Sequence, residues 1–172
     1  MSVPVLRTAR LTLRPHRVED FPALAALWAE PAVYRFIGGA ASTKQDSWGR
    51  LLKFSGHWAL QGYGYWAVEE NDTGRYVGDV GFADHKRDLT PSIEGVPELG
   101  WVLSPSVHGR GYGTEAVRAA LGWGDAQGWP RVVCIIQPEN LASLRVAEKC
   151  GFGPPEQASH AGKPTLLLSR VR

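Results

Sequence analysis

Ser104 to Ala116, SPSVHGRGYGTEA, constrains this chain more than any other stretch. An apolar run, Leu99-Gly100-Trp101-Val102-Leu103, reads as a strand leading in, and Val117, Ala120 and Leu121 carry a helical pattern leading out. Between them glycine stands at alternate positions, Gly109, Gly111 and Gly113, with Arg110 inside the turn. A strand that enters a helix through such a turn leaves backbone N–H groups without carbonyl partners. The helix dipole adds partial positive charge at the same place. Together they make a cradle for a phosphate or pyrophosphate. Glycines that only supply backbone freedom are the plainer reading. Three of them around an arginine at a helix start favour a ligand loop.

The rest of the chain surrounds this loop with short elements. Val5 to Arg14 alternates Leu11 and Leu13 against Arg10, Thr12 and Arg14, which predicts a strand with one face in water. Asp20 opens a helix with Pro22 in its first turn, a stripe of Phe21, Leu24, Leu27 and Trp28, and a stop at Glu30-Pro31. Val33 to Gly39 reads as a packed loop. Ser42 and Gln45 have capping-box spacing and start a helix whose apolar positions are Trp48, Leu51, Leu52, Ser55 and Trp58. Tyr63–Glu69 and Tyr76–Ala83, joined through Asn71-Asp72-Thr73-Gly74, form a hairpin signal. Asp84 to Pro97 has no period, and a loop of that length is usually functional or mobile. Then come the Glu98–Ser104 strand, the glycine loop, a helix to about Gln127 and a buried strand from Arg131 to Gln137. A last helix is capped by Asn140 and closed by Gly151 and Phe152, and a final strand runs through Leu166-Leu167-Leu168. The order βααβββαβαβ predicts one domain over residues 1–172, with a mixed sheet covered by helices on both faces.

Several function classes fall away. A chain of 172 residues with net charge +2 and dispersed arginines gives no electrostatic footprint for nucleic acid. No apolar run is long enough to span a bilayer, and no leader-like apolar core opens the chain, so membrane attachment is not expected and a cytoplasmic location is. Cys134 and Cys150 form no CxxC and fit buried, reduced thiols. The five histidines show no ligand spacing, so no metal is expected. A dinucleotide fingerprint fails, because Thr114 stands where its third glycine belongs and the loop lies late in the chain.

Two further pieces carry polar groups near the loop. Asn140 and Ser143, in QPENLASLRVAEKCGF, project from a helix start at the end of a buried strand. Capping alone accounts for both. Glu98 lies on the strand feeding the loop. It is either a solvated strand end or a general base with a raised pKa.

Together these pieces resemble the GCN5-related N-acetyltransferase (GNAT) superfamily, and within it the RimJ/RimL-like branch of ribosomal-protein N-terminal acetyltransferases. The likeness runs through LRTARLTLRPHRVEDFPAL, WAVEENDTGRYVGDVGF, ELGWVLSPSVHGRGYGTEA and PENLASLRVAEKCGF, nearly the whole chain. The superfamily's loop, Q/R-x-x-G-x-G/A, here reads His108-Gly109-Arg110-Gly111-Tyr112-Gly113, with His in place of Gln or Arg. The resemblance implies an α/β (α+β) fold with a mixed, mostly antiparallel sheet of six to seven strands and about four helices. It implies acetyl-CoA as cosubstrate. The amides of Gly109 to Thr114 would hold its pyrophosphate, and Trp101, Val102 and Leu103 would line the pantetheine arm in a slot splayed from the Val132–Gln137 strand. A backbone N–H near Val102 or Leu103 would polarise the thioester carbonyl, and Asn140 would bond the pantetheine. The superfamily's usual tyrosine is replaced by Ala147, so Ser143 is the candidate for protonating the leaving thiolate, with Glu98 as base.

The expected reaction is direct transfer of acetyl to a primary amine in a ternary complex, the acceptor being a protein N-terminus or a small molecule. Tyr34, Phe36, the Trp48–Trp58 helix and the Asp84–Pro97 loop form the expected acceptor wall, although the same aromatics also suit a core. A non-catalytic acyl-CoA-binding module is the rival from another class. Exposed aromatics at Tyr112 or Trp129 would favour a homodimer.

Overall fold

The N-terminal alternation folds as two strands. The Thr8 amide donates to the Leu11 carbonyl at 2.9 Å and the Leu11 amide to Thr8 Oγ1 at 2.9 Å, which turns the chain. Leu6–Arg7 (β1) therefore pairs antiparallel with Leu11–Arg14 (β2), Leu6 opposite Leu13. Leu11 and Leu13 are buried as expected; of the face predicted to be wet, Arg10 is exposed, but Thr12 and Arg14 are buried too. Arg14 forks onto Asp20 with two 2.8 Å bonds and donates from Nε to Glu69 at 2.6 Å, so its charge is matched on the spot. The computed structural model that shows this describes residues 2–172.

Three helices follow: Phe21–Trp28 (α1), Pro31–Tyr34 (α2) and Lys44–Gln61 (α3). The first is as expected, with Leu24, Leu27 and Trp28 inward. The second is a single turn that starts at Pro31, ahead of the predicted loop, and takes in its first two residues, Val33 and Tyr34. Thr43 and Asp46, one residue later than Ser42 and Gln45, form the capping box of α3. The buried face of α3 is Ser47, Leu51, Phe54 and Trp58, so Trp48 and Leu52 point outward instead. Leu51 and Trp58 keep their expected inward places, while Ser47 and Phe54 replace Trp48, Leu52 and Ser55.

Tyr65–Glu70 (β3) and Tyr76–Ala83 (β4) form the predicted hairpin, with Tyr65 opposite Gly81. Leu89–Thr90 (β5) precedes Glu98–Leu103 (β6), and Tyr112–Ala126 (α4) leaves the glycine loop. Arg131–Ile136 (β7), Leu141–Lys149 (α5), Glu156–His160 (β8) and Lys163–Val171 (β9) complete the chain. Among the described residues the sheet has nine strands in the order β1-β2-β3-β4-β6-β7-β9-β8-β5, not six or seven, with five α-helices where about four were expected. Every pairing is antiparallel except β6 with β7. The surplus comes from the split first strand and from β5 and β8, which pair with each other. β8 reads EQASH and β5 has two residues, so neither carries apolar alternation to announce it.

Alternation along β3 and β4 sends Trp66, Val80 and Phe82 to one face, where Ala116, Val117, Ala120 and Leu121 of α4 pack. Tyr65 and Ala83 go to the other, against Leu24, Leu27 and Trp28 of α1 and Leu51 and Phe54 of α3. Asp79 of β4 is wholly buried under α1. It accepts from His16 Nε2 at 2.7 Å, from the Tyr76 hydroxyl at 2.8 Å and from Trp28 Nε1 at 3.1 Å. His16 Nδ1 is buried without a partner.

Candidate functional site

β6 has two unlike neighbours. With β4 it forms a full ladder from Glu98 opposite Ala83 to Leu103 opposite Gly78. With β7 it pairs only at Glu98 and Val133, where the Val133 amide donates to the Pro97 carbonyl at 3.1 Å. Past that point the two parallel strands separate. The Ser104 amide donates to Val77 on the β4 side, so alternation turns the backbone groups of Leu99, Trp101 and Leu103 toward the gap. Of the two expected polarising amides, Leu103 therefore faces the gap and Val102 faces β4. The side chain of Val102 still lines the opening.

A cavity of about 420 Å³ occupies this gap. Leu99 to Val102 form one wall and Ile135 to Gln137 the other, with Asn140 and Ser143 at the start of α5. Asn140 Oδ1 accepts from the Ser143 amide at 3.2 Å, so Asn140 caps α5 and holds Ser143 at the cavity edge.

The glycine loop lies beyond the end of β6. Gly109 and Gly111 adopt φ of +75° and +77°, a region that side chains with a Cβ rarely enter. Among the described residues, no hydrogen bond uses the amides of Gly109, Arg110, Gly111, Tyr112, Gly113 or Thr114, and the first helical bond runs from Glu115 to Gly111. Six consecutive free amides meet the requirement of an anion cradle. His108 Nε2 donates to the Leu103 carbonyl at 2.8 Å, tying the loop to the strand end. The Arg110 side chain turns to Glu70 at 3.0 Å and to the Tyr112 hydroxyl at 2.7 Å, leaving its amide in the loop.

The outer half of the cavity is made by α1, α3 and the segment after β4. Phe36, Arg50, Lys53 and Phe54 line it, as do His85 and Arg87 from the predicted loop; Tyr34 does not. Glu98 sits here, 4 % exposed, with Arg87 Nε at 2.7 Å from Oε2 and Nη2 at 2.9 Å from Oε1. It is thus neither a solvated strand end nor an unpartnered carboxylate. Tyr65, stacked on Phe54 at 4.4 Å, presents its hydroxyl to the cavity beside Gly100 and makes no side-chain hydrogen bond among the described residues. Burial, with the nearby Glu98 charge, raises its pKa and keeps it a neutral donor. Burial and the Arg87 and Lys53 cations push His85 down to about 3, so it is a neutral imidazole at physiological pH. Sequence reasoning missed Arg50, Tyr65, His85 and Arg87, although it did single out the segments that carry three of them.

Tyr112 is buried, and Trp129 packs against Tyr63, Phe82 and Trp123, so neither aromatic offers the exposed face expected for dimer formation. Cys134 and Cys150 are free, buried thiols, and burial raises the pKa of both. Among the described residues no helix is long and apolar enough to cross a membrane.

The acetyltransferase (GNAT) domain family matches residues 10–153 of this chain. The acetyltransferase of Agrobacterium tumefaciens str. C58 superposes with TM-score 0.85 at 30% identity, covering 100% of this chain and 96% of that one. The uncharacterized N-acetyltransferase YnaD of Bacillus subtilis (strain 168) is 27% identical over 86% of this chain and 81% of its own. RimL, a ribosomal L7/L12 alpha-N-protein acetyltransferase solved with coenzyme A, superposes with TM-score 0.77 over 98% of both chains. At 17% identity it shares the fold alone.

Proposed function

The chain belongs to the GNAT acetyltransferase family, and from that premise we propose that it transfers the acetyl group of acetyl-CoA directly to a primary amine within a ternary complex. The observation that carries this reading is the parting of β6 from β7, with six free amides at its far end and Ser143 at its edge. A slot between parallel strands, opening toward an anion cradle, suits a long thiol arm attached to a pyrophosphate.

Acetyl-CoA supplies the activated acetyl group; the amides of Gly109 to Thr114 hold its pyrophosphate and the free edge of Trp101 to Leu103 holds the arm. A gap-facing amide of β6 donates to the thioester carbonyl oxygen as negative charge develops there; of those that face the gap, Trp101 lines the cavity within reach of Glu98, whereas Leu103 lies at the cradle end. One such donor is commonly worth about 2.7–4 kcal/mol. Asn140 fixes the start of α5, and the Ser143 hydroxyl donates to the departing sulfur. Glu98, held by Arg87, takes the amine proton through a water that reaches a lone pair Arg87 leaves free. An α-amine, with a pKa of about 8, needs only modest help of this kind. The acceptor is a protein N-terminus or a small-molecule amine, and the fold shared with RimL does not choose between them.

The test has two arms. Acetyl-CoA, but not NAD, should raise the melting temperature in a thermal-shift titration, and free-thiol release should follow when an amine library is added. No shift at saturating acetyl-CoA overturns the reading. A shift with no thiol release from any amine leaves a binding module instead of an enzyme.

A further inference from the structure

The outer half of the cavity carries more positive charge than its own carboxylates can match. Arg50, Lys53 and Arg87 line it against one carboxylate, Glu98. Arg87 and Glu98 neutralise each other through two bonds. Arg50 and Lys53 lie three residues apart on α3, a spacing that places them on one face of the helix. The Arg50 guanidinium stacks 3.6 Å from the Trp28 ring centre and donates to Ser42 Oγ at 3.1 Å. Among the described residues neither Arg50 nor Lys53 forms an ion pair within 4.0 Å.

The carboxylates that act on Arg50 from a distance, Asp79 and Asp46, are engaged elsewhere. Asp79 serves His16, Tyr76 and Trp28, and Asp46 caps α3 through Thr43. Desolvation lowers the Lys53 pKa, and repulsion from Arg50 and Arg87 lowers it further, which is the signature of a site short of negative charge. No residue of the glycine loop lines this cavity, so the two cations stand apart from the pyrophosphate cradle.

We infer that the acceptor amine carries an anionic group, a carboxylate or a phosphate, which Arg50 and Lys53 hold while the amine faces Glu98. The inference rests on the transferase reading above and specifies its substrate class. The half-buried Arg50, without a counterion, loses hydration with nothing to replace it, and an acceptor anion restores the balance, with the more exposed Lys53 beside it. The planar Arg50, held flat on Trp28, suits an oxygen pair; Lys53 adds a point charge. A polycationic amine would meet repulsion in the same place.

Matched acceptor pairs that differ only in the anion test it: glycine against glycinamide, a dipeptide against its C-terminal amide, and phosphoethanolamine against ethanolamine. With acetyl-CoA fixed, the anionic member of at least one pair should show kcat/KM tenfold or more above its partner. The pair that responds identifies carboxylate or phosphate as the source. Arg50→Glu should collapse that ratio toward one. Lys53→Met, at an exposed position where folding is not at risk, should lower it several-fold. Where turnover is slow, N-acetylglycine against N-acetylglycinamide, each added with CoA, gives a binding readout by thermal shift. No preference in any pair, by turnover or by binding, overturns the inference, as does a preference that survives both substitutions. A retained acetyl-CoA thermal shift in those cases shows that the substrate class failed and the transferase reading did not.

Discussion

Arg87 and Glu98 close a two-point ion pair inside the cavity, Nε to Oε2 at 2.7 Å and Nη2 to Oε1 at 2.9 Å. Arg87 comes from the irregular segment after β4 and Glu98 from the first residue of β6, the one point where β6 still pairs with β7. The pair therefore pins that segment to the closed end of the slot.

Glu98→Gln should lower kcat/KM by about 100-fold near pH 7, within the usual range for loss of a general base. The deficit should shrink as pH rises past the amine pKa, about 8 for an α-amine, because the nucleophile then arrives neutral. The substitution also leaves Arg87 unmatched, so the melting temperature should fall at every pH. The shape of the kcat/KM profile separates the two effects. A uniform loss from pH 6 to 9.5 would assign Glu98 to architecture alone.

Arg10 ties the N-terminal turn to the cradle. Its amide and Nε bond the Glu115 carboxylate at 2.9 and 2.7 Å, and Nη1 donates to the Arg110 carbonyl at 2.8 Å. Arg10→Met keeps the amide bond but removes the guanidinium bonds to Glu115 and Arg110, each commonly worth about 1.5–3 kcal/mol where shielded and less at a half-exposed site. The Kd for acetyl-CoA should rise about tenfold, with KM for the amine unmoved. Isothermal titration with acetyl-CoA measures the first, and steady-state kinetics at saturating acetyl-CoA the second.

Much of this arrangement is legible before any coordinates. The strand into the loop, the alternate glycines and the Asn140–Ser143 helix all lie within contiguous stretches, where period and capping speak directly. What escapes is what distant residues do to one another. Nothing local in Arg14 announces that Asp20 and Glu69 bury it. Nothing near Glu98 marks Arg87 as its partner, because the intervening segment has no period. Arg50 looks like a solvated helix residue until α1 brings Trp28 beneath it. β8 is held by its pairing with β9, not by its own composition.

Gly100 makes room for the Tyr65 hydroxyl, since a Cβ there would overlap Tyr65 Oη. The ring is stacked on Phe54 at 4.4 Å and 13°, so it cannot retreat freely. Gly100→Ala should cost about 1–3 kcal/mol, the usual range for overpacking. Tyr65→Phe alone should leave the melting temperature unmoved, because the hydroxyl bonds no other side chain. In the double variant most of the Gly100→Ala loss should return, a coupling that urea denaturation of all four proteins reads directly. Additive losses would place the strain elsewhere.

Asp20 should dominate the acid limb of stability. Burial alone would raise its pKa, but the Arg14 fork and the Arg17 amide outweigh burial and hold it below the usual value. A carboxylate depressed in the folded state contributes stability that is fully present above its unfolded pKa, about 3.9. That contribution is lost as pH falls through the lower folded value. Asp20→Asn leaves Arg14 short of one partner in a buried site, which should cost about 3–5 kcal/mol at pH 7. It also removes a proton-binding step, so stability should fall less steeply below pH 4 than in the parent. Glu115 is also lowered despite its burial, through Thr8 and Arg10, and Asp125 is lowered through Arg170, so some slope persists. Urea midpoints from pH 7 to pH 2.5 give both quantities, and parallel acid limbs would show that Asp20 is not the group that titrates.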